Sequence, residues 1–220
     1  MTRLFISIAT SGLPKGSLDV TSRQQPWICR MAAQLTAEDG TPLEHFSCGI
    51  RAGDRKIDAE ATRIHGITSA HAARSGVDES FALSIICGLK LKAKADGTTR
   101  PDRPGFASNA RLCICWDAAF VRTVIGGLFV RLGEPADAWV RPGLQFIGLQ
   151  EICAPWLRLP SGKGDESGGY RKPSRDEVAA AFLNRPPRPL PHTVDDNLAL
   201  EKLIFAELLT RNSIEIGAAA

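Results

Sequence analysis

The sequence predicts an α/β fold with a mixed sheet. Three segments near the start of the chain alternate apolar and polar residues with the two-residue period of β-strands. The period then changes to that of amphipathic helices, with two further short strand-like segments between them. The resulting order, βββ-α-α-β-α-β-α-α-α, is typical of a sheet flanked by helices. A length of 220 residues suits one domain with a sizeable core.

The first three predicted strands form an antiparallel meander. The first covers residues 3–9, the second residues 27–35, and the third continues the alternation through residues 46–50. Between the second and third, Asp39-Gly40 supplies a turn signal. Short connections of this kind favour strands that pair with their sequence neighbours.

The helices that follow are predicted from apolar spacing and from capping signals. Ser174 with Glu177 three residues later forms a capping box, and Thr193 is an N-cap followed by Asp195 and Asp196 in the first turn. The predicted helices cover residues 58–64, 78–93, 114–132, 150–157, 174–183 and 193–211, and the two remaining strands cover residues 105–108 and 143–149.

Composition and charge narrow the class of protein. Hydrophobic residues make up 44% and charged residues 23% of the chain, as in ordinary globular proteins. No apolar run is long enough to span a membrane, and the first residues lack a signal peptide's apolar region, so we expect a cytoplasmic protein with no membrane partner. The net charge of +3 says little about partners.

Two local features of the composition have alternative interpretations. The segment around residues 89–105 is basic and is either a solvated helix end with its loop or a rim for phosphates. Six cysteines are present, and most lie inside apolar runs. Cys113 and Cys115 are the one close pair, without a histidine at zinc spacing, so we expect reduced, structural thiols.

Several sequence segments, taken in order, resemble the DEDDh family of 3′–5′ exonucleases, which includes the proofreading subunit of bacterial DNA polymerase III, RNase T and the three-prime repair exonucleases. The segments are ISIATSGLP, PWICRMAAQLTAEDGTPL, ATRIHGIT, FASNARLCICWDAAF, GGYRKPS and HTVDDNLALEKL. The resemblance covers residues 3–212. It implies an RNase H-like fold with a mixed five-stranded sheet in a single exonuclease-like domain, residues 1–220, including a flexible loop at 160–173 and a tail at 212–220.

In this family four acidic residues hold two divalent ions and a histidine activates the attacking water. The first motif is D-x-E, whose side chains point the same way because they alternate on a strand. The resemblance places Ser7 and Ala9 at these two positions. His192 stands at the position of the general base, and Asn197 replaces the acid five residues later. Neutral side chains therefore occupy three of the four metal positions.

The remaining metal position depends on how the second motif is aligned. Without a gap, Asn109 keeps its place and the acid becomes Cys113. With a slip of one turn, Asp117 takes the acidic position and would share a helix face with Cys113. The alternative for Asp117 is an ordinary, partly exposed helix acid.

Three functional hypotheses follow. The first is an inactive exonuclease fold that needs no cofactor and still binds single-stranded nucleic acid or its 3′ end. Its candidate binding residues are Thr10, Ser11, Gly12, His65 and Asn109. The second is an active, Mg²⁺- or Mn²⁺-dependent exonuclease with rearranged ligands. These would come from Asp19, Asp117, His192, Asp195 and Asp196. The third is a scaffold that binds a replication or repair protein.

Overall fold

The computed structural model describes residues 2–22, 24–87, 109–140, 142–160 and 170–211. The basic segment, the strand predicted at 105–108, most of the predicted loop and the tail lie outside these residues. The described strands are β1 (Arg3–Thr10), β2 (Ile28–Thr36), β3 (Pro42–Gly49), β4 (Leu112–Cys115) and β5 (Gln145–Gly148). The described helices are α1 (Ala59–His65), α2 (Ser69–Arg74), α3 (Glu79–Cys87), α4 (Ala118–Arg131), α5 (Leu149–Leu157), α6 (Arg175–Leu183) and α7 (Val194–Thr210).

The strands form a mixed five-stranded sheet in the order β3-β2-β1-β4-β5, which confirms the predicted fold class. The first three strands are antiparallel neighbours, as the meander prediction requires. β1 pairs with β4, and β4 with β5, in parallel. The carboxyl ends of β1, β4 and β5 therefore lie at one edge of the sheet, where side chains from separate segments converge.

The alternation along β1 divides the core into two layers. Leu4 and Ile6 face a cluster that includes residues of α3 and α4. Phe5 and Ala9 face the opposite cluster, which α5, α6 and α7 cover. This opposition follows from the two-residue period of a strand, and it sends Ser7 toward α7.

The helix ends agree with the capping signals. Ser174 accepts a hydrogen bond from the backbone of Glu177 in the predicted capping box, and Thr193 caps α7. In α7 the reciprocal partner of Thr193 is Asp196. Capping of this kind fixes the position at which each helix leaves its loop, and so fixes which face it turns to the sheet.

The predicted helix over residues 114–132 begins too early. Residues 112–115 form β4, and the helix starts at Ala118 after the cap residue Asp117. A run of four buried apolar residues between two parallel strands fits a central strand, and periodicity alone could not separate it from the helix that follows. The short helix α2 was also missed by the sequence prediction.

Candidate functional site

The carboxyl half of β1 carries the two positions at which the resemblance expects metal-binding acids. Ser7 is 1% exposed and Ala9 is 7% exposed. The Ser7 hydroxyl lies 3.5 Å from Oε1 of Glu201, which projects from α7. The two side chains point to the same side of the sheet, as their alternation on a strand predicts, and that side is a closed layer of protein.

Glu201 is a completely buried carboxylate at this junction. Nε of Arg175, in the first turn of α6, donates a hydrogen bond of 2.7 Å to Oε1, while Oε2 has no hydrogen-bond partner among the described residues. The Arg175 guanidinium also lies 5.1 Å from the ring centroid of Trp116, which follows β4. Burial raises the pKa of Glu201 above its ordinary value, despite the opposing effect of Arg175.

Arg188 links two further polar side chains. Its Nε donates to Oδ1 of Asp176 over 2.7 Å, and its Nη2 donates to Oδ1 of Asn197 over 3.1 Å. Nη1 is buried and has no hydrogen-bond partner among the described residues. Asn197 and Glu201 are four residues apart on α7 and so lie on the same face of the helix. A guanidinium group therefore contacts Asn197, at a position where the resemblance expects a metal-binding acid.

His192 lies on the far side of Asp176. Its Nε2 is 3.2 Å from Oδ2 of Asp176, and its side chain is 15% exposed. The backbone N–H of His192 donates to the carbonyl of Ile64 in α1. This pairing could orient an imidazole for proton transfer. Such a proton transfer would help only if a water, and the phosphate that this water attacks, were held within reach of the imidazole.

The structure does not bring Asn109 to this site. The hydroxyl of Thr2 donates to the backbone carbonyl of Asn109 at the amino end of β1. Thr10 lies at the other end of the same strand, roughly 26 Å away at about 3.3 Å per residue. Asn109 therefore lies apart from Thr10 and the other predicted nucleic-acid-binding residues.

Cys113 also lies apart from the predicted site. Cys113 lies in β4, where it pairs with Leu4 of β1. It belongs to the cluster on the opposite face of the sheet from Ser7 and Ala9. It lies on a strand, so it does not share a helix face with Asp117. The residues of this segment that face the Ser7 side are Leu112, Ile114 and Trp116.

Asp117 lies two residues after the end of β4, and both oxygens of its carboxylate have partners. Oδ1 accepts a hydrogen bond of 2.8 Å from the backbone N–H of Phe120, so Asp117 is the N-cap of α4. Oδ2 is 3.2 Å from Nζ of Lys172, which also contacts Glu151. A helix cap in an ion pair is close to the ordinary partly exposed acid that was the alternative interpretation.

The four remaining binding candidates lie together at the start of the loop after β1. His65 accepts from the backbone of Ile67 at Nδ1 and contacts the Thr10 carbonyl through Nε2, over 3.1 Å each. A carbonyl can only accept, so Nε2 carries the proton and the ring is neutral. Burial lowers the pKa of His65, which favours the same state.

Ser11 and Gly12 are held by protein contacts as well. The Ser11 hydroxyl accepts from the backbone of Trp27, and its carbonyl accepts from the backbone of Asp58. A Cβ added at Gly12 would lie 2.3 Å from Oδ2 of Asp58, so a larger residue there would displace the Asp58 side chain. These residues shape the loop beside β1, and their backbone polar groups bind other segments of the chain.

The residues proposed for a rearranged metal site are dispersed. Asp195 lies 3.1 Å from Nη2 of Arg30 in β2 and accepts from the hydroxyl of Ser47. Asp196 closes the capping box with Thr193. Asp19 accepts from the backbone and hydroxyl of Thr21, which lowers its pKa. None of these three carboxylates contacts His192 or Asp117 in the described part of the chain.

The donor set does not fit a pair of divalent ions. Among the residues that the structure describes, no group of three or more His, Cys, Asp or Glu side chains could hold a metal ion. Hard cations require several anionic or carbonyl oxygens, whereas two guanidinium groups already contact Glu201 and Asp176. The cationic charge at this edge of the sheet is supplied by arginine.

Five cysteines are free thiols: Cys29, Cys48, Cys113, Cys115 and Cys153. Burial raises the pKa of Cys29 and of Cys153 to about 12, and that of Cys48 to about 11. Thiols with such pKa values are weak nucleophiles and weak metal ligands near neutral pH. They pack as small apolar side chains, as the sequence predicted.

The comparisons with known proteins agree with this architecture. The structure matches exonuclease I of Escherichia coli bound to zinc and single-stranded DNA with a TM-score of 0.60, at 17% identity over 96% of this chain. The fold is that of exonuclease I. An ExoI/SSB-Ct complex matches with a TM-score of 0.62 at 17% identity over 96% of this chain, and exonuclease I of Methylocaldum szegediense with 0.58 at 19% over 93%.

This chain corresponds to part of the length of those exonucleases. It covers 40% of the zinc-bound E. coli chain, 41% of the chain in the ExoI/SSB-Ct complex and 40% of the M. szegediense chain. The sequence matches no family model and no curated protein. In the part of the chain that the structure describes, no helix has the length and apolar character needed to cross a bilayer.

The sequence prediction missed three residues that define the site: Arg175, Arg188 and Glu201. Glu201 follows Asn197 by four residues, so helix periodicity could have placed both on one face. Arg188 is the single charged residue in a short proline-rich stretch, PPRPLP. A lone charge in such a stretch is a signal that could have placed Arg188 among the candidate binding residues. No local pattern indicates that these three side chains meet.

Proposed function

We propose that this chain is an exonuclease-like protein that binds single-stranded nucleic acid without cleaving it. The observation that carries the proposal is the hydrogen bond of 3.1 Å from Arg188 to Asn197, at a position where the resemblance expects a metal-binding acid. A second arginine, Arg175, binds the neighbouring carboxylate of Glu201. The guanidinium groups of these two arginines therefore lie beside the positions at which the resemblance expects metal ligands.

Loss of cleavage follows from the chemistry of phosphodiester hydrolysis. Two divalent ions normally lower the pKa of the attacking water and stabilise the leaving oxygen. A guanidinium group can neutralise phosphate charge, but it cannot bind and deprotonate a water. His192 alone could accept a proton, yet without an activated water the rate falls by many orders of magnitude.

Loss of carboxylates is compatible with binding. With Ser7 and Asn197 in place of acids, two sources of repulsion toward a phosphate are removed. The E. coli match is a complex with single-stranded DNA, which supports this class of ligand for the present chain. The ExoI/SSB-Ct complex supports, by the same analogy, a replication or repair protein as a partner.

The proposal is tested by separating binding from cleavage. A 5′-labelled single-stranded oligothymidylate is incubated with the wild-type protein in Mg²⁺, in Mn²⁺ and in EDTA, and binding is measured by anisotropy at stated salt concentrations. We expect binding in all three solutions and no shortening of the strand.

The variant His192→Ala is the control that distinguishes digestion by this protein from digestion by a contaminating nuclease. Stepwise digestion by the wild type that His192→Ala abolishes would overturn the inactive reading and establish an active enzyme. Failure of the wild type to bind DNA or RNA oligonucleotides would overturn the binding reading and leave the protein-scaffold hypothesis.

A further inference from the structure

At the candidate site the two arginine side chains are more exposed to solvent than the carboxylate of Glu201. Arg175 and Arg188 side chains are 25% and 26% exposed, while the Glu201 side chain is 0% exposed. Asp176 is partly exposed, but its two oxygens face Arg188 and His192. An anion that approaches this edge of the sheet therefore meets guanidinium groups before it meets free carboxylate oxygens.

Arg188 is held in place before any ligand arrives. Asp176 fixes its Nε and Asn197 fixes its Nη2, so the planar group has a defined orientation. His192 holds the other oxygen of Asp176, which adds a second support. Rigid presentation reduces the entropy lost on binding, and a guanidinium fork matches the geometry of a phosphate.

Arg188 also keeps unused hydrogen-bonding capacity. Its Nη1 is buried and has no acceptor among the described residues. A guanidinium has five N–H donors, and burying one of them without an acceptor is unfavourable. A phosphate oxygen that reached this nitrogen would satisfy the donor, with Asp176 and Asn197 still holding Nε and Nη2.

We propose that Arg188, positioned by Asp176 and Asn197, is a metal-independent anchor for one backbone phosphate of a single-stranded nucleic acid. The guanidinium takes the place that a divalent ion has in an active two-metal nuclease. This inference rests on the proposed binding function and adds to it the residue and the charge that recognise the ligand. Asn197 is a positioning residue whose neutral amide leaves the charge of Arg188 available.

The test measures the affinity of a labelled oligothymidylate in EDTA across a series of salt concentrations. Arg188→Gln removes the anchor, and we expect affinity at least tenfold weaker. We also expect the slope of log K against log salt to be smaller by about 0.7, as for one lost phosphate contact on a single strand. Asn197→Asp keeps Arg188 but pairs it with a new carboxylate, and we expect weaker binding with the same reduced slope.

Arg211→Gln is the matched control. Arg211 pairs with Glu207 near the carboxyl end of α7, and its replacement changes the net charge by the same single unit as either test variant. We expect its affinity to stay within about twofold of the wild type, with an unchanged slope. Thermal unfolding of each variant shows whether it is folded, and Asn197→Asp decides the question if Arg188→Gln is not.

The outcomes separate the two proposals. A wild type that binds, with Arg188→Gln or Asn197→Asp equal to it in affinity and slope, overturns the anchor and leaves the binding function intact. Equal losses in Arg211→Gln and the test variants also overturn the anchor, because net charge alone then explains them. A wild type that binds no oligonucleotide overturns the binding function itself.

Discussion

Arg175 donates a hydrogen bond of 2.7 Å to Glu201, a carboxylate with no exposed surface. This contact joins the first turn of α6 to the middle of α7 directly beneath β1. Burying a charge is costly unless an opposite charge compensates it. The ion pair therefore supplies within the protein the charge compensation that divalent ions supply in two-metal nucleases.

Removing Glu201 should destabilise the protein strongly. In Glu201→Ala, Arg175 loses its partner and a cavity opens beside Ser7, so we expect the free energy of unfolding to fall by about 3–5 kcal/mol. Urea denaturation measures the change. Glu207→Ala is the control on the same helix, since its pair with Arg211 is partly exposed, and should cost at most about 1 kcal/mol. Similar losses for both variants would contradict the buried-pair explanation.

The pH dependence of stability should report the buried state of Glu201. Because its pKa is raised in the folded protein above the ordinary 4.5, the folded state holds a proton that the unfolded chain releases. The contribution of this group is therefore fully present below pH 4.5 and is lost as the pH rises through the folded pKa. Relative to Glu201→Gln, the wild type should lose stability over that interval. A relative gain would show that Arg175 outweighs burial.

Glu177 should show the opposite dependence. The hydrogen bond from Arg171 lowers the pKa of Glu177 from 4.5 to about 2, so its contribution is present above pH 4.5 and lost as the pH falls to about 2. Glu177→Gln keeps a residue suited to the capping box and removes the charge. The side chain is 35% exposed, so we expect a loss of at most about 1 kcal/mol at pH 7 and none near pH 2. An equal loss at both values would indicate a capping effect instead.

Introducing an acid at Ser7 should not create a metal site. Ser7→Asp places a second carboxylate close to Glu201 in a buried layer, and we expect a loss of about 3–5 kcal/mol in the free energy of unfolding. Ser7→Ala, the control, should cost about 1 kcal/mol for its lost hydrogen bond. Thermal unfolding with and without Mn²⁺ measures whether an ion compensates the new charge. A clear rise in Tm for Ser7→Asp in Mn²⁺ would contradict the arginine-filled site.

Helix and strand periodicity predicted most of the described elements but not the boundary at residues 112–117. The segment LCICWD contains five buried apolar residues that suit either a central strand or the start of a helix. Pairing with β1 and β5 decided for the strand, and this moved Asn109 and Cys113 away from the site. The prediction failed where the outcome depended on neighbouring strands.

The candidate site was predicted in the same partial way. Alternation on β1 correctly sent Ser7 and Ala9 toward one layer, and capping signals correctly placed Asp196 in a helix cap. The contacts from Arg175 to Glu201 and from Arg188 to Asn197 join residues 26 and 9 positions apart. Side chains so separated meet only after helices pack, so no local signal predicts them.

The sequence by itself determined the α/β class, the antiparallel meander and the neutral residues at three expected metal positions, because each depends on short-range periodicity or on residue identity. The tertiary structure alone decided that two arginines bind Glu201, Asp176 and Asn197 at this site. The physical reason is that charge compensation in a protein interior depends on distance in space, which the packing of α6 and α7 against β1 sets.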